Sequence, residues 1–158
     1  MYTFPKNLYT DVRIEDLYLN QITYRNGELI QSLSRNQKGA FIRVFDGQRW
    51  YYSSTTNIDS IQEEIDKLAL MAKENDKILE HPIVKKFEVN KGEYEYFKDN
   101  NILNVKYEDK LQLLKSYFPI LESTKEIKMW NAIYIDRRIG KEFYSSKGAN
   151  LKFDYQTC

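Results

Sequence analysis

Cysteine and histidine are almost missing from this sequence, with one residue of each, Cys158 and His81. A lone cysteine cannot close an internal disulfide, and one thiol with one imidazole falls short of a zinc site. Glycine is also scarce, at 6 residues. The pairs Asn26-Gly27, Asp46-Gly47 and Lys147-Gly148 read as turns, and none belongs to a Gly-rich loop opening into a helix, so a phosphate cradle is not indicated. No apolar run approaches the roughly 20 residues that cross a bilayer as a helix. An excess of one charge sign is lacking too: 24 Lys and Arg stand against 23 Asp and Glu, which leaves no overall field to hold a polyanion or an anionic membrane surface. The opening residues, MYTFPKNLYTD, do not have the basic-then-apolar layout of a secretory leader. These absences favour a cytoplasmic chain with no membrane partner, and they disfavour nucleic acid as the principal ligand.

What the chain does contain is β-structure with clear punctuation. Its 158 residues suffice for one sizeable core, and a single domain is the expectation. In KGAFIRVFDGQRWYYSST, residues 38–55, branched and aromatic residues flank Asp46-Gly47, whose conformational freedom suits a tight turn. Phe41 and Phe45 alternate with Ile42 and Val44, so both faces of that strand are apolar and it is expected to be central. From Asp11 to Ser54 the pattern predicts an antiparallel meander, with Asn26-Gly27 and Asp46-Gly47 as turns and Gly39 easing the start of a strand near Ala40.

Two amphipathic helices follow. In NIDSIQEEIDKLALMAKEN, Ile61, Ile65, Leu68, Ala69 and Ala72 share one helical face, with Asp59 as the expected N-cap. In YEDKLQLLKSYF, Leu111, Leu114 and Phe118 share a face, and the helix is expected to stop near Pro119. Between them the chain predicts loop with a short strand around Val84 to Val89. The last residues, GANLKFDYQTC, alternate Ala149, Leu151, Phe153 and Tyr155 against polar residues and read as a half-buried strand.

The two β regions resemble each other. One ungapped slide sets Val12-Arg13-Ile14-Glu15 over Ile133-Tyr134-Ile135-Asp136, and Asn26-Gly27 over Lys147-Gly148. Each copy reads as a strand, a charged connection, a second strand, a Gly turn and a third strand. The second copy runs out at Cys158 before any counterpart of the 38–55 hairpin. The expected fold class is therefore α+β: a largely antiparallel sheet built from two related meander units, the second truncated, with two amphipathic helices packed on it. A strand ending there would leave an open edge, ready to pair with another chain.

Candidate chemistry is sparse. Ser53-Ser54-Thr55-Thr56 has no histidine close in sequence, and a hydroxyl run before a helix more often caps it. Glu63, Glu64 and Asp66 fit the solvated face of their helix better than a cation site. No catalytic residue is assigned. Tyrosine is abundant, at 13 residues. Trp50, Tyr51 and Tyr52 form the one cluster that could hold an extended peptide or a partner subunit, and ordinary sheet packing is the competing explanation.

The stretch YTDVRIEDLYLNQITYRNGELIQSLSRNQKGAFIRVFDGQRWYYSSTTNIDSIQEEIDKLALMA resembles the opening of the TldD/PmbA metallopeptidases, also called modulators of DNA gyrase. The resemblance rests on the DVRIE strand, the RNGEL turn, the KGAFIRVFDGQRW hairpin and the helix ending in LALMA. Further on, AIYIDRRIGKEFYSSKGANLKF is similar to that family's second β unit. Residues 75–106 match poorly, and Tyr51 and Tyr52 stand where small residues are more typical. The resemblance implies an N-terminal α+β domain of a longer protein, whose C-terminal domain carries zinc on a His-Glu-x-x-x-His helix and a later Cys. That motif does not occur here, so the chain alone is expected to be inactive, whether the full-length protein is a zinc metallopeptidase or a noncatalytic paralogue. The resemblance also implies a role in forming a peptide chamber, a peptide substrate for the full-length protein, and a homo- or hetero-dimer. A free-standing protein-interaction domain is the alternative, and a nucleic-acid or gyrase-binding module has less physical support.

Overall fold

The structure, a computed structural model, describes residues 2–158. Six strands form one sheet in the order β3-β2-β1-β5-β6-β4, where β1 is Tyr9–Arg25, β2 Glu28–Phe45, β3 Trp50–Thr55, β4 Lys91–Tyr94, β5 Asn131–Ser145 and β6 Asn150–Thr157. The sheet is mostly antiparallel, and helices pack on it, as the α+β reading expects. Strand β2 lies between β1 and β3, and so is central, as its two apolar faces require.

Both long hairpins of the repeat are present, β1–β2 around Asn26-Gly27 and β5–β6 around Lys147-Gly148. At the first turn Asn26 and Gly27 both have positive φ, 47° and 82°, the signature of a tight hairpin turn whose twist matches its strands. The charged connections expected inside each copy do not interrupt the strands. Their charges are matched across the sheet instead, Lys141 reaching Glu15 at 3.1 Å and Lys38 reaching Asp16 at 3.9 Å, so the backbone stays extended. Gly39 likewise sits within the continuous strand β2, where an added Cβ would come within 3.4 Å of the Thr55 carbonyl oxygen.

By density of contacts the chain divides into two compact units. The first comprises the chain up to Asp16, Lys38–Glu95 and Gly140–Phe153. Its main core joins Leu8, Val12 and Ile14 of β1 and Ala40, Ile42 and Val44 of β2 to Ile61, Ile65 and Leu68 of helix α1, Ile61–Met71. Each of the Val, Leu and Ile side chains contributes about 1.5–3 kcal/mol on burial. A smaller cluster of Tyr9, Phe45, Ile78 and Val84, with Trp50 and Phe87 against it, involves the short helix α2, Pro82–Lys85.

The second unit comprises Leu17–Gln37, Tyr96–Ile139 and Asp154–Cys158. Helix α3, Tyr107–Lys115, inserts Leu114 among Ile22 and Tyr24 of β1 and Ala132 and Tyr134 of β5, with Leu111 and Phe118 beside them.

Four local expectations need correction. Residues 82–85 are helical rather than part of a strand at Val84 to Val89, because Pro82 presets the first helical φ and the His81 Nδ1 accepts the Ile83 N–H at 3.3 Å. The strand of this region is β4, farther on. Asp59 is not the N-cap of α1: that position is Ser60, which makes no side-chain cap bond, and the Asn57 side chain instead accepts the Asp59 N–H and opens a single 3-10 turn, Ile58–Ser60, that leads into the helix. Pro119 does not merely end a helix; it stands in the first turn of another, α4, Phe118–Glu122, where no N–H is needed. Finally, β6 is not an open edge over Asn150–Phe153. Strand β4 pairs with it in parallel, Lys91 opposite Asn150 and Tyr94 opposite Phe153. The edge-pairing argument for self-association therefore lapses at this position.

Candidate functional site: an aromatic face on the edge hairpin

The turn between β2 and β3 is built by a carboxylate. Asp46 accepts the backbone N–H groups of Gln48 and Arg49, each at 2.7 Å, and the Tyr51 hydroxyl at 3.0 Å. Burial pushes this carboxyl up, but the hydrogen bonds from Arg49, Gln48 and Tyr51 outweigh that effect and hold it below its ordinary value. Gly47 alone takes the positive φ here, 98°, so the two turn residues divide the work: Gly47 supplies the backbone and Asp46 the acceptor. The Asn75 side chain closes the turn from outside by donating to the Asp46 carbonyl at 3.3 Å.

From this turn the register runs Phe45 opposite Trp50, Val44 opposite Tyr51 and Arg43 opposite Tyr52. Strand alternation then assigns faces. Tyr51 packs with the α1 core, its hydroxyl tied to Asp46. Trp50 and Tyr52 join Phe41, Arg43 and Phe45 on the other face. The sequence-derived trio is thus split two to one.

On that face the rings form a ladder. Phe45 and Trp50 stack at 4.6 Å between centroids, Trp50 and Tyr52 at 6.4 Å, and Phe41 and Tyr52 at 5.8 Å. The Arg43 guanidinium lies 4.7 Å from the Trp50 ring centroid and makes a two-pronged bond to the fully buried Asp11, with Nη2 to Oδ2 at 2.5 Å and Nε to Oδ1 at 2.9 Å. Burial pulls the Arg43 pKa down, but the hydrogen bond to Asp11 together with the charge of Asp11 and the neighbouring Tyr9 and Tyr52 more than offsets this, and Arg43 remains charged. Tyr9, next to this pair, has its phenol pushed well up, first by burial and then by the Asp11 charge, so it stays protonated.

The inner end of the ladder is buried among Tyr9 and Phe87, and its outer end is open. Tyr52 is 56% exposed and Phe41 38%. Strand β3 also stands at one end of the strand order. An edge strand flanked by exposed rings can take an extended chain through backbone hydrogen bonds and ring contacts. The hydroxyl and imidazole groups nearby are engaged in local bonds. Ser53 donates to Glu64 at 2.5 Å, and Glu64 in turn pairs with Lys67 at 2.7 Å. His81 is held as the α2 cap and edge-on to Phe45 at 5.0 Å. Among the described residues no three His, Cys, Asp or Glu side chains come together as a metal would require.

Phe41 was set on one face with Phe45 by alternation but not counted as a contact residue, and Arg43 and Asp11 were not singled out from the sequence. The same count in steps of two from Phe45 passes through Arg43. Nothing local marks Asp11 as the partner of Arg43, since that contact depends on β1 lying beside β2.

The same hairpin, helix and first strand lie within the region that is recognisable by comparison. Residues 10–75 match the family described as PmbA/TldA metallopeptidase domain 1. That segment is somewhat less than half of the chain, and it is what ties the chain to the family. The chain's fold is similar to that of a candidate DNA gyrase modulator from Thermotoga maritima, with a TM-score of 0.72 at 14% identity over 94% of this chain. A candidate DNA gyrase modulator from Bacteroides thetaiotaomicron and TldE from Thermococcus kodakarensis each give a TM-score of 0.66 at 13% identity, again over 94% of this chain. The chain spans about a third of the length of these structures, 34%, 35% and 34% respectively. Comparison with curated proteins found no match. The aromatic ladder and its Asp46 turn belong to the matched segment, whereas helix α3 and strands β5 and β6 lie beyond it.

Proposed function

We propose that this chain is the noncatalytic N-terminal domain of a longer, cytoplasmic PmbA/TldD-type metallopeptidase, and that its sheet helps wall the peptide chamber and form the subunit interface of a homo- or hetero-dimer. The observation that carries this reading is the match of residues 10–75 to the first domain of that family. The open end of the aromatic ladder supports it, since Tyr52 and Phe41 offer π-faces beside an edge strand. In this reading the domain contributes shape and ring contacts, while zinc and the group that activates water belong to the C-terminal domain. The net charge of +1 lends no support to nucleic acid as the ligand.

Zinc content and peptide hydrolysis measured on the chain alone and on the longer protein test the proposal. The chain alone is expected to bind no stoichiometric zinc and to cleave nothing, and the longer protein to show chelator-sensitive cleavage if its C-terminal domain keeps the ligands. Chelator-sensitive cleavage by the chain alone would overturn it. A free-standing protein-interaction domain would use the same exposed rings, and a coding sequence that stops after Cys158 would favour that reading.

A further inference from the structure

The second unit holds a feature that neither the turn nor the aromatic ladder uses. A cleft of about 270 Å³, formed by the start of α3 and by residues of β1 and β2, is walled by Tyr18, Asn20, Ser32, Ser34, Tyr107 and Lys110. Two of these polar residues are almost wholly buried: Asn20 is 2% exposed and Lys110 3%. The Asn20 side-chain amide nitrogen has no hydrogen-bond partner. A buried donor left unpaired is costly, and a folded domain that keeps one in a cavity wall is set up to satisfy it with something that enters the cavity.

The other groups define what that is. The Lys110 ammonium bonds Asp136 at 2.7 Å and reaches the Tyr18 hydroxyl at 3.5 Å, which leaves it one further hydrogen to give. Asp136 also accepts the Tyr134 hydroxyl at 2.8 Å, so the carboxylate is fixed where it neutralises Lys110. With the cation already balanced, a carboxylate ligand would bring a second, uncompensated negative charge into a desolvated site. A neutral carbonyl oxygen would not. Ser32 and Tyr107 share a hydrogen bond at 3.0 Å, and these hydroxyls, with Ser34, retain lone pairs able to accept an N–H. The rings of Tyr18 and Tyr107 supply the apolar walls. The volume lies just under the range of about 300–1,000 Å³ typical of drug-sized ligands.

We propose that this cleft binds a small neutral amide, of the size of an amino-acid amide, whose carbonyl oxygen is taken by Asn20 and Lys110 and whose N–H is given to the hydroxyls of Ser32, Ser34 or Tyr107. The inference makes no use of the peptidase reading and stands or falls separately from it.

The test is a nitrogen-15 NMR titration of the 158-residue chain with two probes of one skeleton, N-acetylglycinamide and N-acetylglycine. The amide is expected to shift the Asn20 side-chain NH2 signals and the backbone signals of Ser32, Ser34 and Lys110 saturably, in the millimolar range usual for so small a ligand. The carboxylate should bind at least about tenfold more weakly because of its charge. Asn20→Leu is expected to abolish the shifts while leaving the remaining spectrum folded. Should that variant unfold, Ser34→Val, which removes one acceptor from the wall, should weaken the amide several-fold. Absence of saturable shifts at Asn20, equal response to both probes, or undiminished binding by whichever variant folds would each overturn the proposal.

Discussion

At the scale of single residues, the turn at Asp46-Gly47 combines two devices whose failures differ. Gly47 has φ of 98°, and a Cβ there would approach the Asn75 side-chain nitrogen to 2.5 Å. A branched residue must therefore strain the backbone and also displace the group that closes the turn. Gly47→Val is expected to destabilise the chain by about 1–3 kcal/mol, read from chemical denaturation. An unchanged denaturation midpoint would show that the turn relaxes freely. Asp46 acts through its charge. Because its folded pKa lies below its ordinary value of 3.8, its contribution is fully present above that value and is lost as pH falls through the lower, folded pKa. The melting-temperature advantage of the native chain over Asp46→Asn should accordingly be constant near neutral pH and shrink below about pH 4. A gap that widens on acidification would mean that the carboxylate is not what the turn uses.

At the scale of elements, the telling case is β6. Its alternation of apolar and polar residues is legible in the sequence, and so is its pairing with β5 through the Lys147-Gly148 turn. Its other neighbour is not legible, because β4 is a charged tetrapeptide, Lys-Gly-Glu-Tyr, distant in sequence and joined in parallel. Short parallel pairings carry little local signal, since neither a hairpin turn nor a hydrophobic alternation announces them. The structure gives β6 a neighbour on this side over Asn150–Phe153, so some of its outward backbone groups should be protected. Hydrogen exchange is expected to be slower there in the native chain than in a variant carrying Gly92→Pro, which removes an N–H from β4 and forces φ away from its value of 147°. Equal exchange in the two would indicate that β4 is only loosely attached. The same logic explains α2: the His81-Pro82 pair starts a helix whose final carbonyls receive the Lys147 ammonium, Val84 at 2.8 Å among them. Reading the segment alone, with its Ile, Val and Phe, favours a strand.

At the scale of the whole molecule, the consequence of the proposed role is that the exposed end of the aromatic ladder matters to the longer protein more than to the stability of this domain. Tyr52 stacks on Phe41 and Trp50 but remains half open. Tyr52→Ala should cost the isolated chain only about 0.5–1.5 kcal/mol, the usual worth of such ring contacts. In the longer protein it should lower peptide turnover or weaken dimerisation. Unchanged kinetics and assembly, with a loss of thermal stability alone, would assign the rings to packing. Self-association of the isolated chain is a separate matter, because the β6 edge first suspected of driving it is occupied by β4 and the edge that presents the rings is β3.

By itself the sequence determined the class of this protein and most of its local structure. Period-two alternation, Gly turns and one helical stripe are properties of neighbouring residues, and they yielded the hairpins, the central position of β2 and the core face of α1, while the quoted stretches carried the resemblance that the match over residues 10–75 bears out. Only the tertiary structure decided which charges meet and which rings stay open. Asp11 faces Arg43, Asp136 faces Lys110 and the Tyr51 face of β3 is the one that meets α1 because strands and a helix distant in sequence were brought side by side. Those contacts depend on register and on the choice of neighbouring strand, both settled by the packing of whole elements against one another rather than by any residue's immediate surroundings.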